Sequence, residues 1–150
     1  MKRTRIYIDT SVVGGCFDEA FAKESLALMQ AAREGRIVLL LSDLLGVQLR
    51  RASPQKRSLL ARLPSSAVER VLRNSETRDL RNCYLKAGVL GPRFATDAHH
   101  VALATVWYAE LLVSCNFKHI VHWDIIRKFN SVNLWEGYRL IEVRPPKQVV

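Results

Sequence analysis

Asp9 closes the strand-like run RIYI and is followed at once by two hydroxyls, Thr10 and Ser11, and then by Gly14-Gly15. A second aspartate, Asp97, stands in TDAHHVALAT at the start of an expected helix. Two carboxylates that meet in one cleft repel each other unless a cation lies between them. Hard oxygen ligands suit Mg2+ or Mn2+, and a metal held this way activates water and offsets charge in phosphodiester hydrolysis. Each residue also has an ordinary role. An aspartate at a strand end caps the next turn, and one in a helix's first turn opposes the macrodipole favourably.

The elements that must position these groups follow from apolar patterning and punctuation. Strand formers occupy residues 5–10. Asp18 is placed to cap a helix over 19–34, which Gly35 ends. The run IVLLL, 37–41, is apolar throughout, as in a strand covered on both faces. A short helix is expected over 44–52 and another from Ser53-Pro54 to Pro64. Ser65 or Ser66 opens a further helical piece, and Ser75 caps a longer helix running to Ala87. After a loop over 88–92, Thr96 caps a helix over 97–109. A strand over 111–114, a helix over 118–129 and a strand over 140–143 complete the order, and Pro145-Pro146 ends regular structure.

This alternation predicts an α/β protein, a three-layer α/β/α sandwich with a mainly parallel sheet. In such sheets ligands bind beyond the carboxyl ends of the strands. Asp9 ends the first strand, Asn116 follows the third, and Asp97 begins the helix leading into the third. All three are expected at one end of the sheet.

The chain has 150 residues, 49% hydrophobic and 25% charged, which suits one globular domain spanning 1–150. No apolar run reaches membrane-spanning length, and the basic N-terminus precedes too short an apolar run for a signal peptide, so a soluble cytoplasmic protein is expected. Cys16, Cys83 and Cys115 are odd in number and widely spaced, which suggests neither a disulfide framework nor a zinc site. The net charge is +9. Ten basic and three acidic residues between 50 and 86 contribute +7 of it. A solvated helical face would look the same, but the clustering favours a surface for nucleic acid or an acidic protein.

Four segments carry a family resemblance: YIDTSVVGG at 7–15, LSDLLGVQLRRAS at 41–53, TDAHHVALAT at 96–105 and LLVSCNFKHIV at 111–121. In order and spacing they resemble PIN-domain proteins, of the kind found in VapC-type toxins and related prokaryotic nucleases. The resemblance implies a PIN-like parallel sheet and cleavage of RNA with Mg2+ or Mn2+. It implies Asp9, Asp97 and Asn116 as metal-site residues, with Gln48 completing the catalytic set. Arg50, Arg51, Lys56, Arg57 and Ser11 would contact nucleic acid. A homodimer and an acidic antitoxin partner are further implications.

The chain departs from the family at two positions. Gln48 stands where the family has glutamate, and Asn116 where it often has aspartate. An amide keeps a carbonyl oxygen but loses the charge that attracts a dication. Asp43, five residues before Gln48, is the one nearby carboxylate that could substitute. The alternative to an active nuclease is therefore a catalytically impaired PIN domain that binds RNA or protein.

Other residues have two readings each. Thr10 and Ser11 orient Asp9 or cap the next turn. His100, three residues after Asp97, is a second-layer donor or phosphate contact, but one of the two histidines is expected to be only a surface residue. His119 and His122 form H-x-x-H with no further ligand type, which argues against zinc. Gly14-Gly15 reads as a turn. Trp107, Tyr108, Trp123 and Trp135 read as packing residues, with base stacking as the weaker option.

Overall fold

The computed structural model describes residues 2–149. Five strands, β1 (Thr4–Ile8), β2 (Ile37–Ser42), β3 (Val68–Val71), β4 (Leu111–Val113) and β5 (Val143–Arg144), form one sheet in the order β3-β2-β1-β4-β5. Every pairing is parallel. Seven helices connect or flank them: α1 (Thr10–Gly15), α2 (Ala22–Arg33), α3 (Asp43–Leu49), α4 (Pro54–Ala61), α5 (Ser75–Lys86), α6 (Ala95–Val106) and α7 (Trp123–Trp135).

The strands alternate between two cores. Tyr7, Leu40 and Leu112 face a core built with α5, α6 and α7. Ile6, Ile8, Leu39, Leu41, Leu111 and Val113 face the other, with α1, α2 and α4. Both faces are apolar because both are covered, so the strands lack the alternation of a half-exposed sheet. The three-layer α/β/α expectation holds. Helix α6 is the most enclosed, with every residue from Ala98 to Val106 buried. Among the described residues no helix is long and apolar enough to cross a membrane.

Several local expectations are corrected. Gly14-Gly15 are the last two residues of a helix rather than a turn, and Thr10 starts that helix instead of ending the first strand. The β-branched and glycine content of residues 10–15 is poor for helix formation, so burial of Val12, Val13 and Gly15 is what holds them. Gly15 is where α1 passes closest to its neighbours: a Cβ there would lie 2.8 Å from Ser25 Oγ and 3.0 Å from Cys115 Sγ.

The stretch after Ser65 is a single 3-10 turn leading into β3, not a longer helical piece. Arg5 of β1 secures Glu69 of β3 with a 2.8 Å ion pair, a non-local contact that a four-residue strand needs. Asn74, not Ser75, caps α5, through a reciprocal pair with Thr77. Helix α6 begins at Ala95 after a 3-10 turn, so Thr96 lies inside it. Helix α2 begins at Ala22, with Asp18 instead accepting from the Ala20 N–H in the preceding turn. Helix α7 begins at Trp123, because residues 116–121 form a turn held by the Asn116 carbonyls. The last strand is 143–144 rather than 140–143, and a 3-10 turn over Pro146–Gln148 begins at the second proline of the pair.

Candidate active site

Asp9 occupies the junction of β1 and α1, and its side chain does not cap the helix. It turns inward and is 3% exposed. Ser11 Oγ donates to Asp9 Oδ1 at 2.5 Å, and Ser114 Oγ donates to Oδ2 at 2.7 Å. Burial pushes the Asp9 carboxyl up to about 6, against the pull of the two serine hydroxyls, and the Asp97 charge adds to the rise.

From Asp9 a hydrogen-bonded path runs across the carboxyl end of the sheet. Ser114 Oγ accepts from the Asn116 N–H at 2.9 Å. Asn116 Oδ1 accepts from the His119 N–H at 3.0 Å, closing an Asx-type turn after β4. His119 Nδ1 lies 3.0 Å from Asp97 Oδ2 in the first turn of α6. The structure thus brings Asp9, Asn116 and Asp97 together and adds Ser114 and His119. The ring of Phe94, 3.9 Å from that of His119 between centroids, backs the imidazole.

Gln48 reaches the same cleft from α3 but is tied on its inner side. The Thr10 hydroxyl donates to its Oε1, and His100 Nε2 lies 2.7 Å from the same atom. His100 Nδ1 is 2.6 Å from the Tyr7 hydroxyl, which donates to Ser42 Oγ at 3.0 Å. Ser42 Oγ also accepts from the Leu45 N–H, capping α3. This buried string runs under the cleft from α3 through β1 to α6. Burial drives the His100 imidazole down to about 3, so it stays neutral at ordinary pH. His99 is buried too, so neither histidine is the expected surface residue, and His99 Nε2 lies 3.1 Å from Thr77 Oγ1.

Asp43 does not join the site. Its carboxylate accepts from the Arg73 N–H at 2.9 Å and from Arg73 Nε at 3.1 Å. The role of Asp43 is to join the starts of α3 and the β3–α5 loop.

Among the described residues no three His, Cys, Asp or Glu side chains are grouped to hold a metal ion. The donors present still fit a divalent cation in part. Asp9 is a desolvated carboxylate facing another carboxylate's field, an arrangement a cation relieves. Asn116 Oδ1 keeps one lone pair beyond its bond to His119. Gln48 fits least, being neutral and held by Thr10 and His100.

The basic candidates lie beside Gln48, at the end of α3 and along α4. Arg50, Arg51 and Arg57 are exposed and Lys56 is half-buried. Arg57 has a structural task as well: its Nη1 donates to the carbonyls of Arg50 and Ala52, at 3.2 and 2.7 Å, closing the end of α3. Ser11 is committed to Asp9, Ser114 and the Cys115 N–H.

Sequence reasoning missed Ser114 and treated His119 only as part of a doubtful zinc motif. The signals were there. Ser114 is the last strand-like residue before Asn116, and His119 sits three residues after it, where an Asx turn places its N–H.

Solved structures share this arrangement of strands and helices. Among them is a chain in the crystal structure of VapBC2 from Rickettsia felis bound to a DNA fragment from their promoter. The match has a TM-score of 0.57 at 12% identity and covers 95% of this chain and 98% of that one. The fold is PIN-like. No family model and no curated protein matches the sequence. The PIN-like fold places its carboxyl strand ends, and with them Asp9, Asn116 and Asp97, where a parallel α/β sheet presents a ligand.

Proposed function

We propose that this PIN-like chain is a metal-dependent endoribonuclease of the VapC toxin type. The observation that carries the reading is the path Asp9–Ser114–Asn116–His119–Asp97, which fixes two carboxylates at one end of the sheet with Asp9 buried. Asp9 and Asp97 would hold Mg2+ or Mn2+, with the free lone pair of Asn116 as a weaker ligand. The ion, when bound, supplies an activated water and offsets charge at the phosphate. Ser11 and Ser114 hold Asp9 in one orientation, and His119 does the same for Asp97. Arg50, Arg51 and Lys56 bind the RNA backbone, with sequence-independent affinity set by charge.

The solved neighbour is a VapBC2 assembly, which supports a small acidic antitoxin as partner for a chain of net charge +9. A homodimer is a further proposal, implied by the resemblance of the four segments to PIN-type toxins, and cytoplasmic action is proposed with it.

The test is cleavage of RNA by the purified protein in Mn2+, compared with Asp9→Asn checked for fold by circular dichroism. Cleavage that disappears in the variant supports the reading. A protein that binds neither Mn2+ nor RNA, and that Asp9→Asn leaves unchanged, ends it.

A second reading has its own support. Gln48 presents no charge and is spent on Thr10 and His100. On that basis the chain binds RNA or protein without cutting. Gln48→Glu separates the two: gained or strongly raised cleavage means that only the missing charge was limiting.

A further inference from the structure

We propose that the hollow beside Phe117 is a nucleobase subsite, which receives one base of the RNA strand lying across the candidate active site. This rests on the RNA reading above and specifies how that site would grip its substrate.

The hollow has a volume of about 310 Å3 and is lined by the apolar Phe21, Phe117, Pro145 and Pro146 and by the polar Glu24, Lys147 and Gln148. Its walls come from three chain segments, and each follows a strand at the carboxyl end of the sheet. Phe21 closes the β1–α2 connection, Phe117 lies in the turn after β4, and the prolines follow β5. That is the end of the sheet that holds Asp9 and Asp97. Phe117 is the residue after Asn116, so one wall of the hollow is continuous in the chain with the hydrogen-bonded path between the two carboxylates.

The chemistry of the walls suits a flat heterocycle. Phe117 is 46% exposed despite its size. Its ring is held nearly parallel to that of Phe21, 20° between planes and 5.8 Å between centroids. A base laid on the outer face of Phe117 gains stacking without needing a particular hydrogen-bonding edge. Among the lining polar groups Glu24 offers acceptors, Lys147 donors, and Gln148 both. The volume sits at the lower end of the small-ligand range, enough for one base and its sugar. The basic residues at the end of α3 and on α4 then take the backbone, and the hollow takes one base.

The experiment measures the affinity of a short unstructured RNA, in EDTA so that cleavage plays no part. The proteins are wild type, Phe117→Ala and Phe117→Trp. Each is also tested on a ribose-phosphate strand of the same length without bases. Phe117→Ala should weaken RNA binding by about 5- to 100-fold, the range for one stacked base. Phe117→Trp should retain it, and the abasic strand should bind all three proteins alike. Equal losses on RNA and abasic strand would mean that Phe117 only supports the fold, and the subsite would be discarded. Unchanged RNA binding by Phe117→Ala would also discard it. If Arg51→Ala still weakens binding in that case, the RNA reading itself stands. If no protein binds RNA, both fall together.

Discussion

Gln48 Oε1 and His100 Nε2 lie 2.7 Å apart, and this contact ties one of the cleft's two amide departures from the PIN pattern to a buried imidazole. A carboxylate at 48 would keep its contacts to Thr10 and His100 and add a charge beside Asp9. Gln48→Glu is therefore expected to raise Mn2+ affinity by roughly tenfold or more, read by isothermal titration calorimetry. Without Mn2+ the same variant should be less stable than wild type, because the new charge has no cation opposite it. An unchanged Mn2+ affinity would place position 48 outside the metal's reach.

Asp9 makes stability depend on pH in a defined direction. Its carboxyl titrates at 3.8 when unfolded and at about 6 in the fold, with burial the main cause. Between those values the folded protein holds a proton that the unfolded chain has released. Stability of the metal-free protein should therefore fall as pH rises from about 4 to 6, by up to roughly 3 kcal/mol, and stay level above. Urea midpoints measured across that range should show this slope in wild type and lose it in Asp9→Asn. Saturating Mn2+ should flatten or reverse it in wild type alone.

The two glycines of α1 should behave in opposite ways. Gly15→Ala drives a methyl into Ser25, Cys115 and the Cβ of Phe21, with contacts of 2.8, 3.0 and 3.3 Å. It should cost about 1–3 kcal/mol, as overpacking does. A Cβ at Gly14 meets nothing within 4 Å. Gly14→Ala should leave stability unchanged or raise it by up to about 1 kcal/mol through helix propensity. Denaturant unfolding of the pair decides the point.

Arg51 and Arg57 are adjacent in charge but not in task. Arg51→Ala should weaken RNA binding and lower the slope of log affinity against log salt by about 1, with no change in unfolding midpoint. Arg57→Ala should lower the midpoint as well, because the carbonyls of Arg50 and Ala52 lose their shared donor. Equal midpoints for the two variants would remove the structural role given to Arg57.

Part of this protein is written locally in its residues. The runs that become β1, β2 and β4 are apolar on both faces, and that pattern alone implies a covered parallel sheet. Asp9 and Asp97 stand out because a carboxylate at the edge of such runs is costly unless something receives it. The long helices α2, α5 and α6 show in their spacing, though their caps shift by a few residues.

The remainder rests on contacts between residues far apart in the chain. Helix α1 exists because its valines are buried, not because TSVVGG favours a helix. Strand β3, four residues with two charges, is held by pairing with β2 and by the Arg5–Glu69 bond across 64 positions. Whether Asp43 substitutes for a missing carboxylate was settled by Arg73, thirty residues away, which takes its charge out of the cleft. Gln48 bonds to His100 and Asp97 to His119 because the sheet order brings α3, α6 and the turn after β4 together at the carboxyl end of the central strands. Local sequence sets which residues turn inward, through short-range patterning and hydration. Only the folded packing decides which partners they meet there.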